Sequence, residues 1–263
     1  MRETSFAAST LLPVDGSLAA ALIVLLVLAA TVAAVFRLAP DGSWRRARDI
    51  VFAGVRAAVQ LAVVALVIGW VVRHGAALLG FLLVMCAVAA VTAGRRVTRA
   101  RGWAWAWAAV PIALPVAPIV GALVLSGLLP TRGIALIPVT GILIGGAMTA
   151  TVLAGRRALD ELTLRKGEVE ACLSLGLLPR EARLEIARPA ASEALLPGLD
   201  QTRTVGLVTL PGAFVGMLLG GASPVAAGAV QLFVLVALMA VQAIAVAATV
   251  ELVARGRLHR PEP

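Results

Sequence analysis

The sequence predicts an all-α, polytopic membrane helix bundle of about seven transmembrane helices, and three observations predict it. Hydrophobic residues make up 60% of the 263, charged residues only 14%, and the mean hydropathy is +0.98, whereas a soluble domain carries about a quarter charged residues. Seven stretches, roughly 17–36, 50–72, 75–93, 108–129, 133–153, 204–219 and 227–254, come close to or exceed the about 20 apolar residues that cross about 30 Å of hydrocarbon. Lys and Arg gather in alternate loops: 19 of the 23 follow the first, third, fifth and seventh stretches. Strand-period alternation is absent, so a barrel has no support. No composition shift marks a second domain, and residues 1–263 read as one transmembrane domain.

Taken in order, the first stretch is longer than a signal-peptide core of about 7–15 residues, and no small-x-small box follows Phe36. It is expected to be retained. In the second, Arg56 and Gln60 stand four residues apart on one face. Arg56 is about 9 Å from the span's end and can snorkel or bond a neighbouring helix; contact with cargo is the other reading. Cys86 in the third reads as a small core residue. Trp103, Trp105 and Trp107 read as headgroup-level anchors. Pro111, Pro115 and Pro118 share a face of the fourth stretch and should bend it.

The fifth stretch carries Gly141 and Gly145, with Met148 beyond; the sixth carries Gly212, Gly216 and Gly220, with Met217 between them. Small residues four apart let helices approach closely, which serves packing and is compatible with lining a path. Gln231 and Gln242 in the seventh fit interhelical hydrogen bonds. Residues 155–203 are hydrophilic and include Asp200. There 157–175 reads as a helix with one apolar face, Gly176 as its stop, and Pro179 as the first turn of a second helix.

Cytoplasmic loops carry the Lys/Arg excess, so the N-terminus is expected outside, the C-terminus inside, and the chain in the inner (plasma) membrane. On this reading the net charge of +9 reports topology, and no nucleic acid is implied. Lys166 is the sole lysine and Gly167 follows it, so there is no phosphate-binding GxxxxGK[ST] loop. His74 and His259 both fall outside the spans, which leaves an intramembrane Ser–His or zinc protease without parts. No carboxylate is expected deep in a span, against a proton antiporter. Cys86 and Cys172 fall in a span and in the hydrophilic segment, so they are not expected to pair. No metal site, catalytic residue or cofactor is assigned.

Glu170-Ala171-Cys172, then Gly176, Ile186 and Pro189, resembles the EAA loop of ABC-transporter permeases, with Cys172 in place of the second Ala and Arg188 in place of Leu. Such loops form two short helices that dock in a groove of the ATP-hydrolysing subunit. Over about residues 50–250, the segments RAAVQL, PVTGILIGGAM, LSLGLLPREA and ALLPGLDQTRTVGLVTLPGAFVGMLLGGASP are similar to the FetB-like iron-export ABC permease family, which resembles plant half-transporter subunits linked to aluminium tolerance. The resemblance implies a permease that exports iron or another metal or solute, and a FetA-like ATPase that binds the ATP. It points to a cytoplasmic coupling segment over about 155–203, with Glu170, Ala171, Gly176, Pro179, Arg180, Ile186 and Pro189 as coupling residues. Gly146 and Ala213-Phe214-Val215 depart from the family's usual Asn and Met-Met-Thr or Met-Met-Ser, and the soft ligands left, Met85, Cys86, Met148, Met217 and Met239, are scattered over four spans. An ABC permease for a non-metal solute, importers included, and a non-transport membrane scaffold also fit the residues. With no internal repeat, two copies around a path lined by the fifth and sixth spans are the simplest way to complete a pore.

Cysteine labelling tests the topology. In a chain lacking both native cysteines, an outside-only reagent should modify Ser9→Cys and spare Arg257→Cys; the reverse pattern overturns it.

Overall fold

The computed structural model describes residues 15–39, 41–98 and 103–260, so Ser9, Arg99 and Arg101 lie outside the described residues. These residues are almost wholly helical, with one isolated bridge between Val205 and Thr209. Residues 1–70 and 71–263 are separate compact units.

In the first unit, α1 (Gly16–Val35) is capped by Asp15, whose carboxylate accepts the Ser17 and Leu18 N–H groups. Its chain turns at Arg37, φ +48°, into α2 (Arg45–Val71). Gly54 of α2 meets Leu26 of α1: a methyl group there would lie 2.8 Å from Leu26 Cδ1.

The second unit continues with α3 (Gly75–Thr98), a 3-10 turn at Trp103–Ala108, α4 (Ala109–Leu125) and α5 (Gly133–Leu164). Then come α6 (Lys166–Ser174), α7 (Pro179–Ser192), a 3-10 turn at Glu193–Leu195, α8 (Leu196–Thr204), α9 (Gly212–Leu219) and α10 (Pro224–Ala254). The helices α5 and α10 supply most of the core, α3 and α4 flank them, and α7 packs on both. Thr98 and Thr249, fully buried, give their hydroxyl protons to the Gly94 and Ala245 carbonyls of their own helices at 2.9 and 2.7 Å, which spares a desolvation cost.

Contacts fix the direction of these helices. Gly141 lies against Met85 and Gly155 against Val97, so α3 and α5 run parallel. Gly146 lies against Leu238 and Gly155 against Thr249, so α5 and α10 run parallel too. The chain that joins them, 165–223, therefore has to return the full length of the bundle.

It does so in pieces. Among the described residues, six helices are long and apolar enough to cross a membrane, and the expected sixth span, 204–219, is not one of them. Gly206, at φ +83°, donates to the Thr209 carbonyl at 2.8 Å and turns the chain. Helix resumes only at Gly212, and the eight residues of α9 extend about 12 Å at 1.5 Å each. The return starts earlier than the sequence reading placed it. Arg180 sits at Glu251, Gly198 against Gln242, and 205–214 beside Gly228, Gln231 and Leu235. From Glu251 to Gly228 is about 34 Å along α10.

Gly94 permits the tightest backbone approach: a methyl group there would sit 2.2 Å from the Trp105 carbonyl oxygen, whereas one at Gly80 would meet nothing within 4 Å. Gly94→Ala should cost about 1–3 kcal/mol through overpacking, and Gly80→Ala should cost nothing. Thermal unfolding in detergent reads both; equal midpoints would refute the close-packing role.

Candidate functional site

The hairpin α6–α7 is built by local backbone chemistry. The long helix α5 outruns its apolar part and breaks at Arg165, φ −108°, so the helix expected over 157–175 is two helices. The Arg165 guanidinium forks onto Glu168, with Nε to Oε1 at 2.6 Å, and approaches Glu161 at 3.5 Å. That hydrogen bonding holds the Glu168 carboxyl below the usual carboxylate range. At the far end, Gly176 takes φ +91°; its N–H donates to Leu173 O at 3.0 Å and the Leu177 N–H to Cys172 O at 3.1 Å. Two of the orphan carbonyls of the helix end are thereby satisfied. Pro179 opens α7, and Glu181 accepts the Leu178 N–H at 3.1 Å.

The expected coupling residues divide between surface and core. Glu170, Ala171, Gly176 and Pro179 are exposed along or beside the hairpin tip, and Pro189 is exposed within α7. Ile186 is 4% exposed and belongs to the buried core, because the face of α7 carrying Ala182, Ile186 and Ala187 turns inward. Arg180 is engaged within the chain: its Nε and Nη2 donate to the two Glu251 carboxylate oxygens, both at 2.7 Å, and Arg255 shares that carboxylate. This pairing ties α7 to the end of α10 and raises the Arg180 pKa. Sequence reasoning missed it because the partners stand 71 positions apart. It also missed Leu175 and Leu178, 81% and 63% exposed on either side of Gly176, although their apolar character beside a glycine stop was visible.

Behind the hairpin lies a groove of about 700 Å³ between α5, α6, α7 and the tail, with an apolar floor of Leu159, Leu162 and Leu173 and with Lys166 and Arg183 among its lining. Arg260 also lines it, donating to Asp160 at 2.5 Å and to the Val97 carbonyl at 3.3 Å.

Within the second unit, the candidate pathway residues are spread over α5, α8, α9 and the residue that ends α9. Gly141 serves α3–α5 packing, while Gly145, Gly212 and Gly216 face open space, and Gly220 closes α9. Met148 packs against the core and Met217 is half-buried. Arg56 and Gln60 are exposed on α2. Asp200 is exposed on α8 and 3.5 Å from Arg203. A smaller cavity of about 180 Å³ separates 205–214 from α10, and Gln231, which lines it, buries an Oε1 without a hydrogen-bond partner. Among the described residues no three His, Cys, Asp or Glu side chains converge as a metal centre would require.

The family described as "Uncharacterised protein family (UPF0014)" matches residues 17–257. The chain is 34% identical over 197 residues to UPF0014 membrane protein YjkA of Bacillus subtilis, covering 73% of this chain and 78% of that protein. It is 34% identical over 191 residues to Protein ALUMINUM SENSITIVE 3 of Arabidopsis thaliana, covering 71% and 69%. It is 30% identical over 189 residues to the probable iron export permease protein FetB of Escherichia coli, covering 71% and 73%. No solved structure matches the chain. A family match over nearly the whole chain, six apolar span-length helices and relatives described as membrane proteins agree: this chain is a multi-pass membrane protein of the UPF0014 family.

Proposed function

We propose that the chain is the membrane-spanning permease subunit of an ABC exporter of the iron-export type, driven by a separate ATPase and working as two copies in the inner membrane. The supporting observation is the α6–α7 hairpin. It projects two exposed leucines around a left-handed glycine, and Arg180 ties its second helix to α10 through Glu251. An apolar knob on a rigid stalk suits insertion into a groove of a partner, and the stalk passes the partner's motion to the bundle. The relative's description as an iron export permease supports both the reaction class and the cargo. The chain's own residues supply no phosphate loop, so ATP binding and hydrolysis fall to the partner. Residues 155 to about 190 act as the coupling segment, with Glu170, Gly176 and the flanking leucines at the contact. Gly145, Gly212 and Gly216, open in a single chain, are available for close approach between two copies.

Gly176→Val tests this reading. A β-branched residue at φ +91° costs on the order of 1–3 kcal/mol and should distort the turn without preventing membrane insertion. The variant should insert at wild-type levels yet lose stimulation of the partner ATPase and ATP-driven iron efflux from loaded vesicles. Wild-type stimulation and efflux would sink the coupling role; normal ATP-driven flux of another solute, with no iron flux in the wild type, would replace the cargo.

A further inference from the structure

The return segment carries charge to a depth where the bilayer does not accept it. The polar ends of the second unit mark one boundary: Gly155 of α5 lies against Thr249 of α10, and Arg156 and Glu251 follow within two residues. Gly198 rests against Gln242 so closely that a methyl group on it would be 2.1 Å from the amide oxygen. Gln242 is seven positions from Thr249, about 10 Å into the core. Farther along, Val205 and Gly206 line one cavity with Gln231 and Leu235, residues about 21–27 Å along α10 from Thr249. Asp200 and Arg203 lie between these two levels, near the middle of a hydrocarbon layer about 30 Å thick.

They do not point at the core. Gly198 is buried against α10, while Asp200, Gln201 and Arg203 are exposed on α8. The Asp200 and Arg203 side chains, 67% and 69% exposed, pair at 3.5 Å, and one such contact leaves most of both charged groups to be desolvated if lipid surrounds them. A second observation points the same way. Residues 206–210 are irregular and exposed, with Leu207 at 92% and Val208 at 77%. Irregular backbone at membrane depth is tolerated only against protein or a water-filled cavity.

We propose that the polar face of α8, with Asp200, Gln201 and Arg203, lines a water-filled path at membrane depth for a hydrophilic cargo. The path part of this inference rests on the permease reading; the placement of α8 does not. Asp200 offers carboxylate oxygens to a cation or a hydrogen-bond donor, Arg203 holds a counter-charge within reach, and an apolar, membrane-dissolved cargo has no counterpart on this face.

The test uses the full chain with Cys86→Ala and Cys172→Ala, in membranes broken open so that both faces are reachable. Single variants Asp200→Cys, Gln201→Cys and Arg203→Cys are compared with Val236→Cys, on the exposed apolar side of α10, and Leu175→Cys at the hairpin tip. A small cationic methanethiosulfonate should modify positions 200 and 203 at least about tenfold faster than 236, because a thiol in hydrocarbon resists ionisation. A large polyethylene-glycol maleimide should modify position 175 and spare 200 and 203. Modification of 200 or 203 by the polymer would put α8 outside the bilayer and overturn the inference, as would failure of the small reagent at 200, 201 and 203. In sealed vesicles, Asp200→Asn should lower ATP-driven iron flux at least about tenfold relative to the chain that keeps Asp200. Unchanged flux would remove α8 from the path while leaving the permease reading intact, and absence of flux in the chain that keeps Asp200, Gln201 and Arg203 would strike only that reading.

Discussion

Parallel packing of α10 on α5 is the constraint from which the rest of the second unit follows. Gly146 and Gly155 let the two helices meet at van der Waals range along their length, and both contribute long runs of buried Ala, Val and Leu. Between apolar helices in a bilayer there is no solvent to drive association, so close dispersion contact and small residues have to supply it. Once α5 and α10 point the same way, residues 165–223 must travel back along them. The hairpin, the broken return and the exposed charges of α8 all belong to that one connection.

The connection is mechanically continuous. From the glycine turn, α7 runs beside α10 under the Arg180–Glu251 fork, passes through the short turn at Glu193–Leu195 and becomes α8. Displacement at the hairpin tip therefore moves the face that bears Asp200 with no flexible linker between. A fork with two parallel hydrogen bonds transmits rotation as well as translation, which a single point contact does not.

The long helices were legible because a run of about 20 apolar residues has few other fates, and the Gly176–Pro179 turn because it follows from backbone chemistry within a few residues. The return segment was misread for the opposite reason. Residues 204–219 look apolar enough for a span, but Gly206 and Pro211 leave only eight of them in one helix. The true return begins at Pro179, hidden by Arg180, Arg183, Arg188 and Asp200. Ile186 looked like part of a surface motif because its burial depends on which face of α7 meets α5 and α10. The Arg180–Glu251 pair is a purely tertiary fact, with no local signal to announce it.

The broken return also orders the biogenesis of the protein. A segment with arginines and carboxylates along its length, and no continuous apolar helix, partitions poorly into lipid when presented by itself at the insertion machinery. Its stability at depth comes from α10, the next element in the chain, which covers Gly198 and the 205–214 stretch. The chain must therefore finish α10 before the preceding segment can settle, so the last steps of folding proceed against the direction of synthesis.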